Sequence, residues 1–149
     1  MKKQELKHEF VDLGLSVKWA SVNVGADSVE DFGSYLNCDE VDDDFGRMPT
    51  AAEWEELREN CEWCWGSVNE VKGYVVKSKQ DGNENSIFLP AAGLLCGDVV
   101  GGAGRYGYYL SSTPDTGREW GMVELIFSGR YRGMYCAGSY KRSVRLVKD

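Results

Sequence analysis

Residues 105–147 read RYGYYLSSTPDTGREWGMVELIFSGRYRGMYCAGSYKRSVRLV, and the fold turns on how this stretch is divided. Val123, Leu125 and Phe127 alternate with Met122, Glu124 and Ile126, the period of two expected of a half-buried β-strand. The alternation returns in Ser143, Val144, Arg145, Leu146 and Val147, which places Val144 and Leu146 inward. Between the two lies GRYRGMYCAGSYKR, residues 129–142, with almost no aliphatic side chain to anchor it. The pattern predicts two core strands carrying a polar, aromatic and basic connection. Tyr and Arg supply large, partly apolar area with polar tips, which suits contact with a partner better than core packing.

Working outward, Tyr108 to Ser112 forms a strand leading into this region, preceded by the small, Gly-rich AAGLLCGDVVGGAG of residues 91–104, which must run close to other backbone. Its GGAG is no phosphate loop, because neither a Lys-Ser or Lys-Thr pair nor a helix start follows. Residues 71–90 read as a hairpin, with Tyr74, Val75 and Val76 on one arm, Gln80 to Asn83 at the turn, and Ile87, Phe88 and Leu89 on the other arm. In RMPTAAEWEELRENC, Thr50 and Glu53 make a capping box that predicts the main helix, from Ala51 to about Asn60. Trp54, Leu57 and Cys61 then share one stripe, with Glu55, Glu56 and Glu59 toward water. Residues 10–26 form a strand or hairpin anchored by Trp19, and residues 28–38 fit a short helix or a strand equally well. Residues 39–44, DEVDDD, are expected to be a solvated acidic turn; they lack the ligand spacing of a calcium loop, and no metal is assigned.

A chain of 149 residues suits one domain, and 18 Gly against 3 Pro favours short strands joined by tight turns. The net charge of −7 argues against nucleic acid, which demands a basic footprint. The charge is uneven, since residues 104–149 carry eight Lys or Arg against four Asp or Glu. Such a local basic excess in an acidic chain is suited to steering an acidic partner. No membrane span is expected, and MKKQELKHEF lacks the apolar run of a signal peptide. Five irregularly spaced cysteines predict mostly reduced thiols. Cys61 and Cys64 form a CxxC pair at the end of the predicted helix, where the dipole opposes thiolate formation, so no redox role is assigned. His8, the one histidine, lies in the polar lead-in, and no nucleophile, base and orienter stand out. Glu119 and Glu124 are read as solvent-facing carboxylates rather than a catalytic pair.

The segments EFVDLGLSVKWASVNVGA, GRMPTAAEWEELRENC, SIFLPAAG, GYYLSSTP and SVRLV resemble, in sequence and order, the major paralogous domain family common in gut bacteria. That family is a branch of the C-type-lectin-like fold related to formylglycine-generating enzyme domains. The resemblance runs from Glu9 to Val147 and implies a single α+β domain over residues 1–149, with short antiparallel strands, one main helix and much irregular loop. The short DEVDDDFG before RMPT departs from the longer family insertion, so contacts made from that insertion do not carry over. The chain also resembles variable proteins of diversity-generating retroelements, whose C-terminal part is a diversified ligand-binding surface. The enzymes of the wider family depend on a cysteine pair in the C-terminal region, where this chain has only Cys136.

Retroelement mutagenesis, as the resemblance implies, replaces template adenines, so an AAC codon turns into Tyr, Ser, Gly, Arg, Asp or Cys without reaching a stop. Arg130, Tyr131, Arg132, Gly133, Tyr135, Cys136, Gly138, Ser139 and Tyr140 are nearly all of that set, whereas Lys141 is not. The expected function is non-enzymatic binding of a protein or glycan, without a cofactor. The expected contacts are Arg118, Glu119, Gly121, Arg130, Tyr131, Arg132, Tyr135, Tyr140 and Lys141. Trp19, Trp54, Leu57, Phe88, Leu89, Trp120, Leu125, Phe127, Val144 and Leu146 are expected to be buried scaffold. A monomer is favoured. The alternative is an undiversified structural or adhesive surface domain that self-associates, and localisation stays open between cytoplasm, phage particle and, after leader removal, cell surface.

Overall fold

A computed structural model describes residues 9–42, 45–115, 121–138 and 140–149. The capping box forms as the sequence requires: Thr50 Oγ1 accepts from the Glu53 amide at 3.1 Å, and Glu53 Oε1 accepts from the Thr50 amide at 2.9 Å. Two orphan donors of the first turn are thereby satisfied, and helix α1 runs Ala51–Asn60. It buries Trp54 and Leu57 and hands directly into a strand at Cys61. Among the described residues it is the one α-helix, and the rest is short antiparallel sheet and loop, a mixed α+β architecture that is mainly β.

Three three-stranded sheets accompany the helix. The first joins β1 (Phe10–Val11), β2 (Lys18–Ala20) and β11 (Val147–Lys148), closing the two ends of the domain on each other with Val147 opposite Trp19. The second joins β3 (Cys61–Val68), β4 (Val71–Ser78) and β5 (Ser86–Pro90), the expected hairpin with one further strand. A small hairpin, β6 (Leu94–Cys96) and β7 (Val99–Gly101), occupies the Gly-rich connection. The third sheet has the order β10 (Arg132–Cys136), β9 (Met122–Phe127), β8 (Gly107–Pro114).

The core is a run of rings. Trp19 meets Trp54 at 4.6 Å between centroids, Trp54 meets Tyr109 at 5.5 Å, Tyr109 stacks on Phe127 at 5.8 Å, and Phe127 meets the edge of Tyr74 at 5.2 Å. Trp63 and Trp65 lean on Tyr74 from the rim at 5.2 and 5.1 Å. Every expected scaffold residue is buried except Trp120, which lies outside the described residues. Gly107 sits where a Cβ would fall inside the Phe127 ring. Gly107→Ala is therefore expected to lower stability by about 1–3 kcal/mol, read as a drop in melting temperature, because a methyl there displaces a packed aromatic.

Three expectations are corrected. First, the connection after β9 is not strandless, since Arg132–Cys136 pairs along β9 from Arg132 opposite Phe127 to Cys136 opposite Val123. Strand formation there comes from the partner's backbone, because RGMYC carries no apolar alternation of its own. Second, the alternation in residues 143–147 does not separate core from solvent. The segment threads between β8 and residues 20–24: Ser143 bonds to Tyr108 and Leu110, Val144 O accepts from the Val24 amide, and Leu146 O from the Ala20 amide. Residues 142–147 are all buried, and only at Val147 does regular strand begin. Third, Glu124 is buried rather than solvent-facing, 2% exposed.

Burying residues 142–147 buries two arginines, and each is satisfied differently. Arg145 donates to Asn23 Oδ1 at 2.8 Å, Ala20 O at 3.0 Å and Phe88 O at 2.6 Å. Those acceptors are neutral, so burial dominates and pulls the guanidinium down to about 10. Asn23 Nδ2 reaches the Tyr109 hydroxyl at 3.1 Å, which in turn donates to Pro90 O at 2.9 Å. Burial pushes that phenol up to about 12, so it keeps its proton and its donor role. The network ties four segments distant in sequence around one polar centre. Arg142 is held by charge instead, donating to Glu124 Oε1 at 2.6 Å.

Candidate ligand-binding face

The third sheet has two unlike faces, set by strand alternation. Tyr109, Leu125 and Phe127 face the ring core, with Met134 packed against it. On the opposite face, register aligns Tyr108 with Ile126 and Gly133, and Leu110 with Glu124 and Tyr135. Half of that second face is roofed, because Leu110 packs with Ala137, Val144 and Leu146. The other half is open. There Tyr108 and Ile126 are half-buried and Tyr135 is 49% exposed. Tyr131, in the β9–β10 turn, is 43% exposed, and burial together with the nearby Tyr106 and Tyr135 phenols raises its own phenol above the usual value. Tyr106 lies 6.2 Å from Tyr108 between ring centroids. The result is a tyrosine cluster, partly exposed, at one end of the third sheet.

The turn and loop around it are held through main-chain atoms. Ser128 N donates to Tyr131 O, Ser128 O accepts from the Tyr74 hydroxyl at 2.6 Å, and Arg132 O accepts from the Arg58 guanidinium at 2.9 Å. Farther along, Ala137 N donates to Met122 O, and Lys141 and Leu95 exchange both backbone hydrogen bonds. Arg142 Nη1 donates to the carbonyls of Gly138 and Tyr140, so the buried pair with Glu124 also clasps the loop bearing Tyr140. Burial raises the Glu124 carboxyl above its usual value while the Arg142 guanidinium opposes the rise. These contacts grip backbone atoms of the turn and loop rather than their side chains.

The expected contact residues separate into four groups. Arg118 and Glu119 lie outside the described residues, as does His8. Arg130, Tyr131, Tyr135 and Tyr140 are exposed, Tyr140 by 47%. Lys141 is half-buried and committed to Glu40 at 3.1 Å, with the Glu40 carboxyl held low first by the Asn37 amide and then by that lysine. Gly121 and Arg132 belong to the frame. Gly121 is buried and its carbonyl accepts from the Asp115 amide. Arg132 is half-buried, its guanidinium 5.1 Å from the Trp63 ring and 5.4 Å from Tyr74, where it covers the edge of the core. Tyr106, Tyr108 and Ile126 were not among the expected contacts. The available signal was alternation along GYYLSS, which puts Tyr108 opposite to the buried Tyr109, but the pairing with Ile126 is a property of register.

Other chemistry fits this structure less well. Cys61 is buried at the start of β3, and desolvation pushes its thiol up to about 11, away from a reactive thiolate. Three positions apart on a strand, Cys61 and Cys64 point to opposite faces and are both free. Among the described residues, no group of three or more His, Cys, Asp or Glu side chains is placed to hold a metal ion. In the acidic segment, Cys38–Glu40 makes a 3-10 turn, while Asp43 and Asp44 lie outside the described residues. No described helix is long and apolar enough to cross a membrane. No family model, curated protein or solved structure matches the chain.

Proposed function

We propose that this chain is a non-enzymatic ligand-binding domain of C-type-lectin-like fold, whose C-terminal stretch presents a diversified contact surface of the retroelement type to a protein or glycan. The observation that carries the reading is the pairing of exposed Arg130, Tyr131, Tyr135 and Tyr140 with a backbone fixed from below by Arg58, Tyr74 and Arg142. Tyrosine offers wide amphipathic contact at small entropic cost, and a backbone tethered by carbonyls and amides keeps its shape when side chains change. The exposed positions fall within the set reachable from adenine-rich codons, whereas Lys141, outside that set, is engaged with Glu40. The test lies in the neighbouring DNA. A near-copy of the codons for Tyr108 to Val147, differing at adenines alone and lying beside a reverse-transcriptase gene, is expected. A genome with neither removes the diversified part of the reading.

A further inference from the structure

We infer that the tyrosine face takes an acidic peptide segment of a partner protein, an inference that rests on the binding role proposed above. The chain carries −7 overall, yet the carboxylate aligned on this face, Glu124, is buried and neutralised by Arg142. Arg105 and Arg130 are both exposed at the same end of the sheet, next to Tyr106 and Tyr131, and neither pairs with a carboxylate among the described residues. Arg105 lies 5.8 Å from the Tyr106 ring centroid, so its guanidinium stays at the margin of the cluster. Two guanidinium groups and several phenol hydroxyls make a surface rich in donors, and its natural complement is rich in acceptors.

The arrangement of cations points to the class of ligand. A sulfated polysaccharide or a nucleic acid presents dense charge and is matched by dense basic clusters, whereas among the described residues two exposed arginines stand at one end of an aromatic and aliphatic platform of Tyr108, Ile126 and Tyr135. That arrangement suits a chain in which carboxylates alternate with apolar side chains, its backbone carbonyls meeting the phenols.

The experiment is selection of a displayed random-peptide library on the purified chain, beside a panel of sulfated and sialylated glycans, for the parent, an Arg105→Glu/Arg130→Glu variant and a Tyr131→Ser/Tyr135→Ser variant. Thermal melts establish that each is folded. The inference predicts enrichment of Asp and Glu in parent-bound peptides, loss or reversal of that preference on charge reversal, and affinity for a selected acidic peptide reduced by about tenfold or more in either variant. Enrichment without acidic bias, a bias unchanged in the charge-reversed variant, glycan binding without peptide enrichment, or no enrichment at all would each overturn the acidic-peptide assignment. Peptide binding indifferent to the Tyr131 and Tyr135 changes would instead overturn the binding face itself.

Discussion

Trp54→Ala is expected to destabilise the domain by about 3–5 kcal/mol, the range for deleting a buried indole. Its side chain is fully buried at the junction of helix, first sheet and third sheet, in contact with Trp19 and Tyr109. The indole Nε1 also donates to Leu110 O at 3.1 Å, so truncation leaves a void and an unpaired buried carbonyl together. For a domain of this size that corresponds to a fall in melting temperature of roughly 10 °C. Trp54→Phe retains most of the ring volume and should cost clearly less. Equal losses in the two variants would mean that the hydrogen bond, not the packing, holds the helix in place.

The second large effect belongs to Arg142. Replacing it by Gln removes the guanidinium from a carboxylate that is 2% exposed, and breaking one side of a buried ion pair typically costs about 3–5 kcal/mol. Glu124 then responds by holding its proton more firmly. Its carboxyl already sits above the usual value through burial, and the substitution removes the one group drawing it down. A folded-state value above the unfolded one means that the native form binds more protons across that interval. The contribution of Glu124 is accordingly most favourable in acid and is lost as pH rises through the folded-state value. The deficit of Arg142→Gln relative to the parent should therefore be smaller near pH ~4.5 than near pH ~7.5 in denaturant titrations. A deficit independent of pH would show that Glu124 does not carry it.

The sequence made local structure readable where local chemistry decides it. The Thr50 and Glu53 box defined the helix start, and Met122–Phe127 and the hairpin arms emerged from their apolar periodicity. What escaped was set by pairing over long separations. Arg145 reaches partners 122, 125 and 57 residues away, and nothing in SVRLV distinguishes a buried arginine from an outward one. The polar members of an alternating run look solvated until another segment covers them, as the segment bearing Arg142 does for Glu124. Likewise RGMYC became a strand because β9 offered it an edge, and Arg132 joined the frame because Trp63 and Tyr74 lie beneath it. The exposed tyrosines were legible from composition, since a run of Tyr, Arg and Gly without aliphatic anchors has little to bury.

The frame is expected to stand without the side chains it displays. A calorimetric melt of the chain bearing Tyr131→Ser, Tyr135→Ser and Tyr140→Ser together should show a cooperative transition at nearly the parental temperature, because these rings are exposed and the hydrogen bonds described around them run through main-chain atoms. A triple variant that is unfolded, or that melts far below the parent, would contradict it.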